Sequence, residues 1–117
     1  AHYGVALDVS KAAARWAARA HSRVGSVVAD VWRRLPLADG CADVVLDLFA
    51  PRNGAEFHRV LRLGGTLLVV TPAPDHLAGP DLGAQRDEIA AEICPRLLDV
   101  SANLIWITGH DYPPARV

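Results

Sequence analysis

The feature that most constrains the fold is residues 57–72, where the end of an amphipathic helix runs through two adjacent glycines into an apolar run. The apolar spacing after Asn53, which can cap a helix, predicts a helix that ends at Leu63. The Gly64-Gly65 pair lets the chain turn there. The run that follows, residues 66–71, is typical of a strand buried on both faces. Helix, turn and buried strand together form one unit of a parallel sheet. The residues predicted to pack inward from this helix are Phe57, Val60 and Leu61.

Three further short apolar runs indicate strands, and helical periodicity separates them. The predicted strands are residues 5–7, 26–29 and 43–49. Residues 85–94 are predicted as a helix that Pro95 stops or bends, and residues 103–108 are a candidate closing strand. Strands joined by helices at this spacing imply right-handed crossovers. The sequence therefore predicts an α/β fold, a Rossmann-like and mostly parallel sheet with helices on both faces.

The segment after Ser10, a candidate N-cap, is predicted as a helix with one apolar and one basic face. Its apolar face consists of Ala13, Trp16, Ala17 and Ala20. Lys11, Arg15 and Arg19 recur every four residues, which places them on a single stripe of the helix. This stripe is either a solvated face or a contact for RNA phosphates.

Size and charge restrict the class of protein. A chain of 117 residues with 51% hydrophobic content is expected to form one globular domain. A net charge of −1 argues against nucleic-acid binding by bulk electrostatics. No apolar run reaches the roughly 18 residues that span a bilayer, so a soluble, cytoplasmic protein without a membrane partner is expected. Cys41 and Cys94 lie far apart without metal-ligand spacing, which supports neither a zinc site nor a disulfide framework. Because the chain lacks an initiator methionine and enters an apolar segment at once, we expect a fragment of a longer protein.

Polar residues that follow the predicted strands are the candidates for a binding site, because ligands of open parallel sheets lie beyond the carboxyl ends of the strands. Asp8 follows the first strand and either accepts the two hydroxyls of a ribose or caps the next helix. Asp30 follows the second strand and, taken alone, is a turn aspartate. Residues 49–51 follow the third predicted strand, and residues 71–72 follow the fourth. Asp47 is an acid within an apolar strand and faces either solvent at a sheet edge or a cleft.

Several motifs resemble those of class I S-adenosylmethionine-dependent methyltransferases. The segment Arg59-Val60-Leu61-Arg62-Leu63-Gly64-Gly65 and its apolar run are similar to the Arg-Val-Leu-Lys-Pro-Gly-Gly motif of that family. Four further segments resemble one group within this family, the bacterial large-subunit ribosomal RNA guanine-N1 methyltransferases. The segments are Leu7-Asp8-Val9-Ser10-Lys11, Leu35-Pro36-Leu37, Phe49-Ala50-Pro51 and Thr71-Pro72-Ala73-Pro74-Asp75-His76-Leu77. These enzymes include ones that protect the ribosome from macrolide antibiotics. The resemblance covers residues 4–77.

The resemblance implies an S-adenosylmethionine cofactor and ribosomal RNA as the partner. Asp8 would contact the ribose and Asp30 the adenine amino group, and His76 would assist departure of the guanine N1 proton. The residues that the resemblance assigns to the cofactor are Asp8, Val9, Asp30, Val31, Leu48, Phe49 and Ala50. Those that it assigns to the substrate loop are Pro51, Pro72, Pro74 and His76. No metal is expected in this site.

The sequence departs from the family in three places, and other functions stay open. Leu63 stands where the family has proline, and the glycine-rich turn after the first strand and the amino-terminal zinc module are absent from these residues. One alternative is a methyltransferase of the same fold with a small-molecule acceptor. Another is a non-catalytic module that has lost the cofactor turn. A hydride-transferring dehydrogenase is a third, against which the Gly64-Gly65 pair and the Leu35-Pro36-Leu37 loop argue.

Overall fold

A computed structural model describes residues 3–11, 15, 19, 22–71, 82–100 and 103–108. Five strands and two helices are bounded within these residues. In chain order they are β1 (Gly4–Asp8), β2 (Val24–Val28), β3 (Ala42–Leu48), α1 (Gly54–Val60), β4 (Leu61–Val70), α2 (Leu82–Asp99) and β5 (Leu104–Thr108). Between β1 and β2, Lys11, Arg15 and Arg19 are helical and exposed, as predicted for the basic stripe. The apolar face predicted for that helix, Ala13, Trp16, Ala17 and Ala20, lies outside the described residues.

The five described strands form one sheet in the order β2-β1-β5-β3-β4, and every neighbouring pair is parallel. Each predicted strand is present, with ends within a few residues of those expected. The predicted closing strand is β5, and it lies at the centre of the sheet. Its residues, from Leu104 to Thr108, are all buried, which suits the position that is covered on both faces and paired on both sides.

The two described helices cover opposite faces of the sheet. From α2, Ala90, Cys94 and Leu98 pack in a cluster with residues such as Leu46 and Trp106. From α1, Phe57 and Val60 pack in a second cluster with Val45, Ile107 and Leu35. Successive residues of a strand point to opposite faces, so β3 and β5 contribute to both clusters. This arrangement confirms the predicted α/β class with helices on both faces.

The helix α1 begins where the sequence predicted and ends earlier. The side chain of Asn53 caps it by accepting the backbone N–H of Glu56 at 3.4 Å. The predicted end at Leu63 is wrong, because the helix stops at Val60 and Leu61 turns to extended backbone that pairs with Ala42 of β3. Pairing of Leu61 with β3 therefore stabilises this segment more than one further turn of helix would.

The predicted glycine turn is present as a bulge within β4. Pairing with β3 passes from Leu61 to Thr66 over a register shift, so residues 62–65 stand out of the ladder. Gly64 has a φ of 78°, a conformation that favours glycine. A Cβ on Gly65 would lie 3.0 Å from the carbonyl oxygen of Arg62. The two glycines are therefore required for different reasons, one for backbone conformation and the other for space.

The helix α2 continues past Pro95, which was predicted to stop or bend it, so a stop at this residue is wrong. It extends from Leu82 to Asp99 and contains Pro95. A proline in this position removes one backbone hydrogen bond. The last turn is nevertheless kept because Leu98, which is fully buried, packs against the sheet. Within the described residues, no helix is long and apolar enough to cross a membrane.

An ionic network fixes the loop before β3 to α1. The Arg59 guanidinium donates to the carbonyl oxygens of Leu35 at 3.0 Å and Leu37 at 2.7 Å, and to the Asp39 carboxylate at 2.8 Å. Glu56 accepts the backbone N–H of Leu35 at 2.6 Å and the guanidinium of Arg59 at 2.9 Å. The Arg59 side chain, followed by this N–H, lowers the pKa of Glu56 to about 2. Its contribution to stability is therefore present above about pH 4.5 and is lost as the pH falls towards 2.

Replacing Glu56 by alanine is expected to lower the free energy of unfolding by about 2 kcal/mol, because Leu35 N–H and Arg59 both lose a charged acceptor. Urea denaturation at neutral pH measures the loss. Glu92→Ala is the matched control, since Glu92 pairs with Arg96 on the exposed surface of α2. That change should cost at most about 0.5 kcal/mol. Equal losses in the two variants would contradict a role of Glu56 in holding the loop.

Candidate functional site

The predicted site residues follow the carboxyl ends of neighbouring strands. Along this edge of the sheet the order is Asp30 after β2, Asp8 at the end of β1, Thr108 at the end of β5, and Phe49 after β3. Adjacent strands lie about 4.8 Å apart, so the four positions form a row. The chain passes from β1 outward to β2 on one side of the sheet and from β3 outward to β4 on the other. Parallel sheets bind ligands in the crevice where the direction of these connections reverses, which in this sheet lies at β5.

Asp8 is buried and both of its carboxylate oxygens are engaged. Oδ1 accepts the backbone N–H of Ser10 at 2.9 Å, an Asx turn that leads towards the following helical segment. Oδ2 accepts the hydroxyl of Thr108. The structure thus shows Asp8 in a turn that precedes the helical segment, and it adds a partner, Thr108, that the sequence reasoning missed. No sequence signal connects these two residues, which are 100 positions apart.

Asp30 also forms an Asx turn at the end of its strand. Its Oδ1 accepts the backbone N–H of Trp32 at 2.9 Å, and its Oδ2 lies 3.9 Å from Nε of Arg33. The neighbouring Val31 is fully buried in the cluster on the α1 side. Its side chain is therefore core, and its carbonyl oxygen accepts Nδ2 of Asn53 at 2.9 Å. Of this predicted pair, only Asp30 keeps a partly exposed side chain.

The residues that follow β3 turn sharply at Phe49. This residue has a φ of 53°, in the left-handed region that a bulky side chain rarely adopts, and its N–H donates to the carbonyl oxygen of Val70 at 2.9 Å. Leu48 is fully buried in the cluster on the α2 side. Ala50 and Pro51 are half-buried. A strained backbone of this kind is frequent where a chain shapes a ligand site.

Asp47 is the most unusual group at this edge. It is fully buried, and neither carboxylate oxygen makes a well-formed hydrogen bond to a described residue, although the N–H of Ala50 lies close enough to act on it. The prediction of an edge position is wrong, because β3 lies between β5 and β4, and Asp47 pairs in register with Ile107 and Val69. Burial raises the pKa of its carboxyl to about 7, against smaller opposing effects of the Ala50 N–H and the Arg52 charge.

The remaining predicted residues are divided between the described and undescribed parts of the chain. Val9 is half-buried directly after β1. Pro72, Pro74 and His76 lie outside the described residues, so their assignment to the substrate loop stays a prediction. Over the ranges that the structure covers, no cluster of three or more histidine, cysteine or acidic side chains is placed to hold a metal ion.

The parallel sheet, its strand order and the helices on both faces define an α/β protein with a Rossmann-like core. Comparison with known proteins narrows this class. The chain is 64% identical over 75 residues to the 23S rRNA (guanine(748)-N(1))-methyltransferase of Streptomyces fradiae, a match over 64% of this chain and 27% of that protein. It is also 64% identical over 74 residues to a putative 23S rRNA (guanine-N(1)-)-methyltransferase of Micromonospora griseorubida, over 63% of this chain and 25% of that protein.

A third relative is more distant. The chain is 43% identical over 74 residues to the putative 23S rRNA (guanine-N(1)-)-methyltransferase YxjB of Bacillus subtilis, over 63% of this chain and 26% of that protein. The chain thus matches about a quarter of the length of these curated relatives. No protein-family model matches it, and no solved structure does. The resemblance to guanine-N1 methyltransferases of ribosomal RNA, drawn from the motifs, is confirmed by these matches.

The raised pKa of Asp47 predicts that Asp47→Asn stabilises the fold at neutral and alkaline pH. The carboxyl is neutral in the folded protein up to about pH 7, whereas it ionises near 3.8 in the unfolded chain. Stability of the wild-type chain relative to the variant should therefore fall as pH rises from about 4 to 7, by up to about 4 kcal/mol. Urea midpoints of both chains between pH 4 and 8 measure this. Parallel pH profiles would contradict it.

Proposed function

We propose that this chain carries the cofactor-binding and acceptor edge of an S-adenosylmethionine-dependent methyltransferase that acts on N1 of guanine in large-subunit ribosomal RNA. The observation that carries the proposal is the pair of carboxylates, Asp30 and Asp8, that follows β2 and ends β1 at the same edge of the sheet as the strained turn after β3. The named activity of the relatives supports the acceptor. The cytoplasm, where ribosomes are, is then the place of action, and protection from macrolides is the biological role that the resemblance implies.

The groups present fit the adenosine half of this cofactor. The contact between Asp8 and Thr108 demonstrates that Oδ2 of Asp8 accepts an alcohol O–H, which is the donor that a ribose hydroxyl offers. Asp30 follows β2, which lies one strand spacing from β1 and Asp8. Its carboxylate can accept a hydrogen bond from the adenine amino group. Binding would require Asp8 to exchange the Thr108 hydroxyl for a ribose hydroxyl.

The chain's contribution to the reaction is position. S-adenosylmethionine supplies an electrophilic methyl group, and an in-line displacement of this kind gains its rate from alignment of the two reactants. Asp8 and Asp30 would hold the adenosine, and the turn at Phe49 would form the wall beside the acceptor. His76 stays our candidate for receiving or relaying the guanine proton. A guanine within a duplex has to be unstacked to reach such a site.

The RNA would be held by exposed cations. Lys11, Arg15 and Arg19 form an exposed basic stripe on the helical segment after β1. Arginine and lysine side chains that contact phosphates add affinity that is lost with salt. We propose ribosomal RNA as the partner, with a small-molecule acceptor as the alternative for a methyltransferase of this fold.

A non-catalytic module is the second candidate, and a specific observation favours it. Thr108 already satisfies Asp8, and β5 fills the centre of the sheet, the place of the first strand in the common nucleotide-binding order 3-2-1-4-5-6. Because Thr108 already donates a hydrogen bond to Asp8, no ligand is required to satisfy that buried carboxylate.

Calorimetric titration of S-adenosylmethionine into the 117-residue chain, and into the uninterrupted reading frame that encodes it, tests the proposal. We expect binding, and transfer of a labelled methyl group to 23S ribosomal RNA that stops primer extension at a guanine. Binding without transfer to RNA would favour a small-molecule acceptor. Absence of binding in both proteins would leave the non-catalytic module.

Asp8→Asn is expected to weaken binding of S-adenosylmethionine at least tenfold, about 1.4 kcal/mol. The carboxylate offers two charged oxygens to the two ribose hydroxyls, whereas the amide of asparagine offers one neutral acceptor oxygen. Thr108→Val is the matched control, since it removes the other half of the same contact and leaves the carboxylate. It should bind as well as the wild-type chain or better. Equal weakening in both variants would mean that the Asp8–Thr108 contact acts through local structure.

A further inference from the structure

Arg86 is a buried cation that the site described so far does not use. It lies on α2, and its side chain is only 10% exposed. The guanidinium therefore carries a permanent charge and five N–H donors into a position largely shielded from water. Its Nε donates to the carboxylate of the neighbouring Asp87 at 3.3 Å.

The direction of α2 places Arg86 at the carboxyl edge of the sheet. At the far end of the helix, the carbonyl oxygen of Leu98 accepts the guanidinium of Arg23, which directly precedes β2, at 3.4 Å. A Cβ on Gly4, the first residue of β1, would lie 3.5 Å from Cδ2 of Leu98. Leu98 therefore lies at the amino edge. The step from Leu98 back to Arg86 spans about 18 Å of helix, whereas β1 covers about 13 Å from Gly4 to Asp8, so Arg86 reaches the level at which β1 ends.

The burial pattern of α2 turns Arg86 towards the sheet. Ala90, Cys94 and Leu98 follow it at intervals of four residues, and all three are buried in the cluster on the α2 side. Arg86 is buried as well and continues this stripe by one turn. Side chains of a helix lean towards its N-terminus, so the guanidinium reaches towards the carboxyl ends of the strands.

Asp8 and Thr108 lie on the same face of the sheet as Arg86. Because side chains alternate along a strand, Asp8 shares its face with Ala6, and Thr108 shares its face with Trp106. Ala6 and Trp106 both belong to the cluster on the α2 side. On this face, the carboxyl edge therefore combines a buried carboxylate, a buried hydroxyl and a buried guanidinium.

The path of α2 places Arg86 on the central side of Asp8. The helix follows β4 in the chain, and its last turn lies at Gly4 of β1, so it crosses the sheet obliquely. Phe49, which follows β3, packs against the cluster that α2 covers. The first turns of α2 therefore lie nearer the ends of β3 and β5. A ligand that extends from Asp30 to Asp8 continues along the edge towards Arg86.

We propose that Arg86 binds the carboxylate of the methionine portion of S-adenosylmethionine, with its guanidinium donating to both carboxylate oxygens. That carboxylate is the anionic group of the molecule, and the sulfonium links its amino acid to the ribose. The planar guanidinium fork matches a carboxylate bidentately. With adenine at Asp30 and ribose at Asp8, the amino acid would lie on the side of Arg86. This inference deepens the proposed function and rests on it for the identity of the ligand.

A buried guanidinium suits a small ligand better than an RNA backbone. Phosphates lie on the outside of a folded RNA and are neutralised by exposed cations, of which Arg33, with 82% of its side chain exposed, is an example. A charge in a shielded site attracts a carboxylate more strongly than the same charge in water does. The ligand carboxylate would replace Asp87 as an acceptor of Arg86, as a ribose hydroxyl would replace Thr108 at Asp8.

Calorimetric titration of S-adenosylmethionine and of decarboxylated S-adenosylmethionine into the 117-residue chain tests the inference. The second ligand keeps the adenosine, the sulfonium and the amine, and it lacks the carboxylate. Its greater positive charge favours it beside Asp8 and Asp30, so a preference for the complete cofactor requires a cation in the site. We expect the wild-type chain to bind S-adenosylmethionine at least tenfold more tightly. Arg86→Gln should reduce this ratio to about twofold or less, by weakening S-adenosylmethionine alone.

Two control variants separate the carboxylate contact from other effects. Arg96→Gln removes an exposed arginine of the same helix, which pairs with Glu92, and should keep the wild-type ratio. Asp8→Asn should weaken both ligands to a similar degree, because both have the ribose, and should also keep the ratio. Thermal unfolding establishes that each variant is folded. If Arg86→Gln does not fold, Arg86→Lys, which keeps the charge and loses the planar fork, replaces it and should lower the ratio at least threefold.

The outcomes separate this inference from the proposed function. Equal binding of the two ligands by the wild-type chain, or an unchanged ratio in the folded Arg86 variant, overturns the role of Arg86 while the cofactor site stands. An Arg86 variant that keeps the ratio and loses affinity for 23S ribosomal RNA also overturns it, and assigns Arg86 to a phosphate. Failure of the wild-type chain to bind either ligand overturns the proposed cofactor site, and the role of Arg86 with it.

Discussion

The pairing of β5 with two neighbours at once holds this structure together. Leu104–Thr108 forms parallel ladders with β1 on one side and with β3 on the other. Among the described strands, it is the sole link between the pair β1 and β2 and the pair β3 and β4. A central strand loses all of its surface to neighbours and to both faces, so apolar, β-branched and aromatic residues such as Ile105, Trp106 and Ile107 suit it. Without β5 each pair would expose an unpaired inner edge.

The central strand also couples the fold to the candidate site. Thr108 ends β5 next to the end of β1, so the strand that completes the core is the one that supplies a hydroxyl to Asp8. The same contact therefore affects both stability and ligand binding. A ligand that hydrogen-bonds to Asp8 has to displace Thr108, whose contact with Asp8 helps to hold β5 in register. Coupling of this kind makes the free energy of binding smaller than the ligand contacts alone would give.

The local features were predictable from sequence, and those set by distant contacts were not. Apolar runs ended by Asp8 and Asp30, and the Gly64-Gly65 pair, specify strands and turns through their own neighbours. The end of α1 at Val60 was missed because pairing of Leu61 with Ala42 across the sheet decides it. The central place of β5 depends on pairing with β1, about 100 residues away, and with β3, about 60 residues away, and periodicity carries no such information. The Thr108 contact with Asp8 follows from that placement and was unpredictable for the same reason.

Asp8 and Asp47 are the same residue type in one sheet, on opposite faces of it, and they meet the cost of burial in different ways. Asp8 recovers the cost of burial through a backbone N–H and a hydroxyl, so its burial is compatible with a stable fold. Asp47 recovers little, and its pKa is raised to about 7 by the same burial. An amide or an apolar residue of similar size would be easier to accommodate between Ile107 and Val69. A group that destabilises its own strand near neutral pH, two residues before a strained turn, is a pattern more frequent at functional sites than in ordinary cores.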